Sequence, residues 1–98
     1  MQIRVKGRHL AITSAIREYA LSKAEKLPRY FDRIRSVDVV AEAHDYRHRV
    51  EMVVHVSGQA PVIGTTRGKD LYACIDGVVA KLGRQLSDKK SRQRSHKH

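Results

Sequence analysis

Six apolar residues, Leu71, Ile75, Val78, Val79, Leu82 and Leu86, recur at the helical period near the end of the chain. That spacing gathers them on one face of a helix opened by Asp70, and the stripe needs a partner surface. The rest of the chain must supply it. Past Leu86 the apolar residues stop and cations take over, in Asp88-Lys-Lys-Ser-Arg-Gln-Arg-Ser-His-Lys-His.

The partner surface reads as strands. In residues 2–8, Ile3 and Val5 point one way and Gln2, Arg4 and Lys6 the other, which is the pattern of a short half-buried strand. Thr13 or Ser14 is a good N-cap, and Ile16, Ala20, Ala24 and Leu27 then share one helical face. The spacing predicts a helix from about Ser14 to Leu27, ending or kinking at Pro28, with Tyr30 and Phe31 packing back on the core. Val37, Val39 and Ala41 alternate with Asp38, Val40 and Glu42 in a second strand. His44 to His48 reads as a polar turn. In the third strand, Arg49 to Val56, one face carries Val50, Met52, Val54 and Val56. Ser57-Gly58-Gln59 is a turn, and Pro61 to Arg67 is a weaker fourth strand closed by Gly68 and Lys69.

The order β-α-β-β-β-α predicts an α+β fold: a four-stranded mixed sheet with two helices packed on one face. The first two strands, joined through a helix, are expected to be parallel with a right-handed crossover. The remaining strands are expected to form an antiparallel meander. A chain of 98 residues makes one domain, assigned to residues 1–87, followed by a basic tail at 88–98 that extends the helix or is disordered.

Charge bears on partners. Twenty Lys and Arg face ten Asp and Glu, for a net charge of +10. Such an excess points to a polyanion, foremost nucleic acid. By segment, residues 1–12 carry +3, 13–35 carry +3, 36–69 and 70–87 are neutral, and 88–98 carry +4. Lys23 and Lys26 stand three apart on one flank of the first helix, and a helical turn past Pro28 would add Arg29 and Arg33. Lys81 and Arg84 repeat the spacing on the last helix. Two helices side by side would bring such flanks together into a surface suited to a phosphate backbone. The competing reading of each pair is a solvated face, strongest for Lys81 and Arg84, whose late position the helix dipole favours. It does not account for the net charge.

Other chemistry finds no constellation. His44 and His48 sit in a turn with no cysteine at ligand spacing, and His9, His55, His96 and His98 are scattered, so no metal site and no cofactor are expected. Cys74, the single cysteine, reads as a packed thiol and excludes an internal disulfide. No P-loop, GxGxxG or GxSxG occurs, and no enzyme is expected. No apolar run approaches a membrane span and no secretory signal opens the chain, so a cytoplasmic protein without membrane contact is expected. Gly77 and Gly83 each cost a helix about 1 kcal/mol against Ala, and they read as places of close approach by helix one or by a partner.

The opening Met-Gln-Ile, the run Ile12-Thr13-Ser14-Ala15-Ile16-Arg17-Glu18, the segment Lys26-Leu27…Tyr30-Phe31-Asp32-Arg33-Ile34 and the helix Asp70-Leu71-Tyr72-Ala73…Ile75-Asp76…Lys81-Leu82…Arg84-Gln85-Leu86 together resemble the bacterial ribosome hibernation promoting factors, short form. The last helix is the most specific part of the resemblance. It implies a non-enzymatic, monomeric stress and stationary-phase factor. Such a factor binds the small ribosomal subunit and its rRNA in the mRNA and tRNA channel, inhibits translation, and promotes inactive ribosome dimers with a separate ribosome modulation factor. It implies RNA contacts at Lys23, Lys26, Arg29, Lys81, Arg84, Lys89 and Lys90. Pro28 departs from the helix-forming residue usual in that segment, which bears on the orientation of Arg29. Two other readings are a general double-stranded-RNA-binding module, whose element order α-β-β-β-α mimics, and a modulator of an alternative sigma factor.

Overall fold

A computed structural model describes residues 1–95. His96 and His98, with the end of the basic tail, lie outside the described residues. The elements are β1 (Gln2–Arg8), α1 (Ser14–Ala24), a short 3-10 turn (Leu27–Arg29), β2 (Ile34–His44), β3 (Arg47–Val56), β4 (Val62–Gly68) and α2 (Leu71–Ser95). The sheet runs β1-β2-β3-β4. β1 is parallel to β2, and β2, β3 and β4 are antiparallel neighbours. This is the mixed sheet and element order expected from the sequence.

Register explains the core. Val5, Val39 and Met52 follow one another across the sheet, and Val37 pairs with Val54. These side chains are buried on the face that carries the helices, where Ile16, Ala20 and Ala24 of α1 and Leu71, Ile75, Val78, Val79, Leu82 and Leu86 of α2 close over them. The opposite face carries Arg4, Lys6, Asp38, Glu51 and His55 and remains in water, so each strand alternates.

Thr13, not Ser14, caps α1, its hydroxyl accepting from the Ile16 amide at 3.2 Å. The regular helix stops at Ala24, a turn short of the expected Leu27. Pro28 has no amide to bond back four residues, and the chain tightens before it: Lys26 N donates to Lys23 O at 3.2 Å, and Arg29 N to Lys26 O at 3.1 Å. Phe31 is buried as expected, while Tyr30 lies half in water.

The polar turn at 44–48 is shorter than its composition suggests. His44 pairs with Arg47 and Ala43 with His48, which leaves Asp45 and Tyr46 as the loop. Asp45 takes a positive φ of 57°, a conformation Asp tolerates better than most residues. At the other end, α2 continues unbroken to Ser95, so the tail as far as that residue takes the helical alternative. Asp70 opens α2 by accepting from the Tyr72 amide at 3.0 Å.

Gly83 admits the Tyr30 ring, which lies 3.1 Å from where a Cβ would stand. Gly83→Leu is therefore expected to displace Tyr30 and loosen the 3-10 turn against α2, read as faster amide exchange at residues 27–31.

Candidate nucleic-acid interface

Two aromatic rings set α1 against α2. Tyr19 meets Tyr72 edge-on, with centroids 4.9 Å apart and planes at 86°. The Tyr19 hydroxyl donates to Asp76 Oδ1 at 2.6 Å. This hydrogen bond, with lesser help from burial, holds the phenol above its ordinary pKa. Lys23, one turn further along α1, reaches the same carboxylate at 3.5 Å and lies 5.2 Å from the Tyr19 ring centroid. Lys23 is on the flank the sequence indicated, but an acid already answers its charge. Asp76 and Tyr19 stand 57 residues apart, so no local pattern announces the contact. Asp76→Asn is expected to return the Tyr19 pKa towards about 10 and to steepen the salt dependence of polyanion binding by about 0.7–0.9 in log–log slope, as Lys23 is freed. Ultraviolet titration and binding across a salt series measure the two effects.

Lys26 sits between α1 and the 3-10 turn, and Arg29 ends that turn; both are exposed. Tyr30 packs on Gly83, which sets the turn bearing Arg29 beside the turn of α2 bearing Arg84. Pro28 therefore does not remove Arg29 from the surface; the 3-10 turn delivers it there. Lys90, two helical turns beyond Gly83, faces the same way. Lys26, Arg29 and Arg84 make no ion pair among the described residues. Arg33 falls in the turn before β2, outside the flank that a continued helix would have formed.

Lys81 turns the other way. Its Nζ donates to the Thr65 carbonyl of edge strand β4 at 3.2 Å. Lys89 lies on the same side of α2, in a groove shared with Arg92, Gln85 and Pro61–Ile63. The candidate cations thus spread in two directions, with Lys23, Lys26, Arg29 and Lys90 towards α1 and the 3-10 turn, Lys81 and Lys89 on a second flank of α2 towards β4, and Arg84 on the exposed side of α2 between them. Arg92 joins the second flank because the tail is helical, a consequence that composition left open.

The open face of the sheet holds a separate network. Arg4 Nε donates to Asp38 Oδ1 at 2.6 Å, and His55 Nε2 lies 2.9 Å from Asp38 Oδ2. The Arg4 hydrogen bond holds the Asp38 carboxyl below the usual carboxylate range against partial burial, with His55 adding to the effect. A depressed carboxylate contributes stability above its unfolded pKa of about 3.9, and the contribution is lost as pH falls through the folded value. Asp38→Asn is expected to flatten the fall in stability below about pH 4, measured by denaturant unfolding across an acid series.

The remaining candidates settle into structural places. Cys74 is buried against the core, and burial pushes its thiol pKa up. His48 Nδ1 lies 3.0 Å from the Lys69 carbonyl. Among the described residues no cluster of His, Cys, Asp or Glu could hold a metal ion, and no helix is long and apolar enough to cross a membrane.

The chain is similar to known proteins over nearly its whole length. The ribosome hibernation promoting factor of Escherichia coli (strain K12) is 38% identical over 96 residues, covering 98% of this chain and all of that protein. The factor of the same name from Azotobacter vinelandii is 40% identical over 93 residues, covering 95% of this chain and 86% of its own. The crystal structure of the Thermus thermophilus Protein Y N-terminal domain superposes with a TM-score of 0.81 at 36% identity, covering 90% of this chain and 98% of that one. A ribosomal subunit interface protein from Coxiella burnetii gives 0.82 at 26% identity, covering 93% and 99%. With the family model matching residues 3–94, this chain belongs to the Sigma 54 modulation protein / S30EA ribosomal protein family.

Proposed function

We propose that this protein is a ribosome hibernation factor that acts by occupancy. Its rigid body sits in the mRNA and tRNA channel of the small ribosomal subunit, blocks translation, and favours inactive ribosome dimers in concert with a ribosome modulation factor. It does so as a monomer in the cytoplasm, without cofactor or catalytic step. The observation that carries this reading is the composite surface where the 3-10 turn meets α2. There Lys26, Arg29 and Arg84 are exposed and without ion pairs among the described residues, next to Lys90 and the second flank of Lys81 and Lys89. Cations brought together from distant segments and left uncompensated suit neutralisation of phosphates. Names of relatives that refer to ribosome hibernation and to the subunit interface support the same reading.

If about six phosphates are neutralised, binding to purified small subunits falls with salt at a log–log slope of about −4 to −5. Co-sedimentation across a salt series is the test. Binding indifferent to salt, or none at low salt, overturns the proposal. Equal affinity for a plain RNA duplex would favour a general double-stranded-RNA binder instead. The family description also mentions sigma-54 modulation. That reading predicts activity that survives charge reversal at Lys23 and Lys26.

A further inference from the structure

We propose that the β2–β3 hairpin end carries a second, separate site for an unpaired nucleotide, bound through its phosphate and its base. The place is remote from the helix surface. α2 starts beside the end of β4 and runs back, so that Lys89 and Arg92 lie at the start of β4, near Val62 and Ile63. Arg49 pairs with Arg67, and His48 with Gly68, at the opposite end of the strand.

There a concave cavity of about 360 Å³ is lined by Glu42, His44, Tyr46, Arg47, Arg49 and Arg67. Small-molecule sites span ~300–1,000 Å³, so the space suits a single nucleotide unit. Its charge favours an anion, since three arginines face Glu42 and one further acid, Asp45. Arg49 is occupied, 3.4 Å from Glu51 and 4.0 Å from Glu42. Arg47 and Arg67 make no ion pair among the described residues and are exposed. Arg8, opposite Glu42 in the parallel register, adds a cation at the rim.

Tyr46 distinguishes this cluster from a plain basic patch. Tyr19 and Tyr72 pack on each other and Tyr30 lies on Gly83. Tyr46, at the tip of the hairpin, is 89% exposed. A free ring face beside unpaired guanidinium groups matches a base that stacks and a phosphate that accepts from arginine. An acidic peptide would engage the arginines and leave the ring unused. The shared chemistry is a nucleoside phosphate, from a single-stranded RNA or from a free nucleotide.

The test is amide NMR of the full chain at constant ionic strength, titrated with a uridylate hexamer, with uridine 5′-monophosphate and with inorganic phosphate. The expected result is that the hexamer shifts residues 44–49 and 67, and does so equally in a Lys26→Glu, Arg84→Glu chain whose helix surface is disabled. Tyr46→Ala weakens binding at the hairpin end roughly 5- to 100-fold, and Tyr46→Phe retains it. If the monophosphate shifts the same amides, the site accepts free nucleotides; if only the hexamer does, it needs an RNA chain. Both outcomes uphold the proposal. It is overturned if residues 44–49 and 67 do not shift, if their shifts vanish with the helix surface, or if inorganic phosphate reproduces them and Tyr46→Ala changes nothing.

Discussion

A chain carrying Lys26→Ala, Arg29→Ala and Arg84→Ala together is expected to bind small ribosomal subunits about 10²- to 10³-fold more weakly at about 0.1 M salt. Each neutralised phosphate releases counterions worth about 0.7–0.9 in the log–log slope, which at that salt is nearly a decade of affinity. Removing three such cations at once takes away between two and three decades, and the slope falls by a little over two. The three residues are exposed and unpaired among the described residues. Their removal is therefore expected to leave the fold within about 0.5 kcal/mol of its starting stability. Sedimentation at several salt concentrations, with a denaturant melt as control, measures both effects. Lys23→Ala is expected to cost less than any of the three, because Asp76 already holds that ammonium at 3.5 Å. Equal reductions for Lys23→Ala and Arg84→Ala would show that Asp76 does not compete with phosphate.

Leu82→Ala is expected to destabilise the fold by about 2–5 kcal/mol. Leu82 is fully buried in the middle of the α2 stripe, and its side chain occupies the space over Gly64 of β4 that a Cβ there would need. With no side chain at position 64 to relax into the vacancy, the cavity persists and the loss lies towards the upper end of that range. The opposite change makes the same packing visible from the strand side. Gly64→Ala forces Leu82 out of its place at a cost of about 1–3 kcal/mol. The pair Gly64→Ala, Leu82→Ala is then expected to cost less than the sum of the two, because the new methyl enters the space that Leu82 vacates. Urea unfolding of the four chains completes the cycle, and strict additivity would show that the two positions are not coupled.

Much of this arrangement is legible in the order of residues. Period-two alternation identifies β3 through Val50, Met52, Val54 and Val56, because a pleated strand sends alternate side chains to opposite faces. Period 3.6 identifies α2 through Leu71 to Leu86 for the corresponding helical reason. The strand–helix–strand opening implies a parallel β1–β2 pair, and Asp70 declares itself as a cap by its side-chain oxygen, whereas the choice of Thr13 over Ser14 comes from the structure. Boundaries are less legible. α1 stops at Ala24 because Pro28 acts on hydrogen bonds several residues before it, and the β2–β3 loop shrinks to Asp45–Tyr46 because cross-strand pairing outweighs the polar composition around it.

The candidate site divides along the same line. Net charge and the spacing of Lys23 with Lys26 and of Lys81 with Arg84 are properties of the chain itself, and they point to a polyanion. Which of those cations are free is decided by contacts between segments far apart. Asp76 answers Lys23 only because Tyr19 and Tyr72 dock one helix on the other. Lys81 turns to Thr65 because β4 is the edge of the sheet and its backbone lies within reach of α2. The 3-10 turn that carries Arg29 lies against α2 because Gly83 lets Tyr30 approach. Local sequence dictates how each segment folds, since backbone hydrogen bonds and side-chain periodicity act over a few residues. Charge compensation acts through space, so the exposed, uncompensated basic surface exists only once the helices have packed.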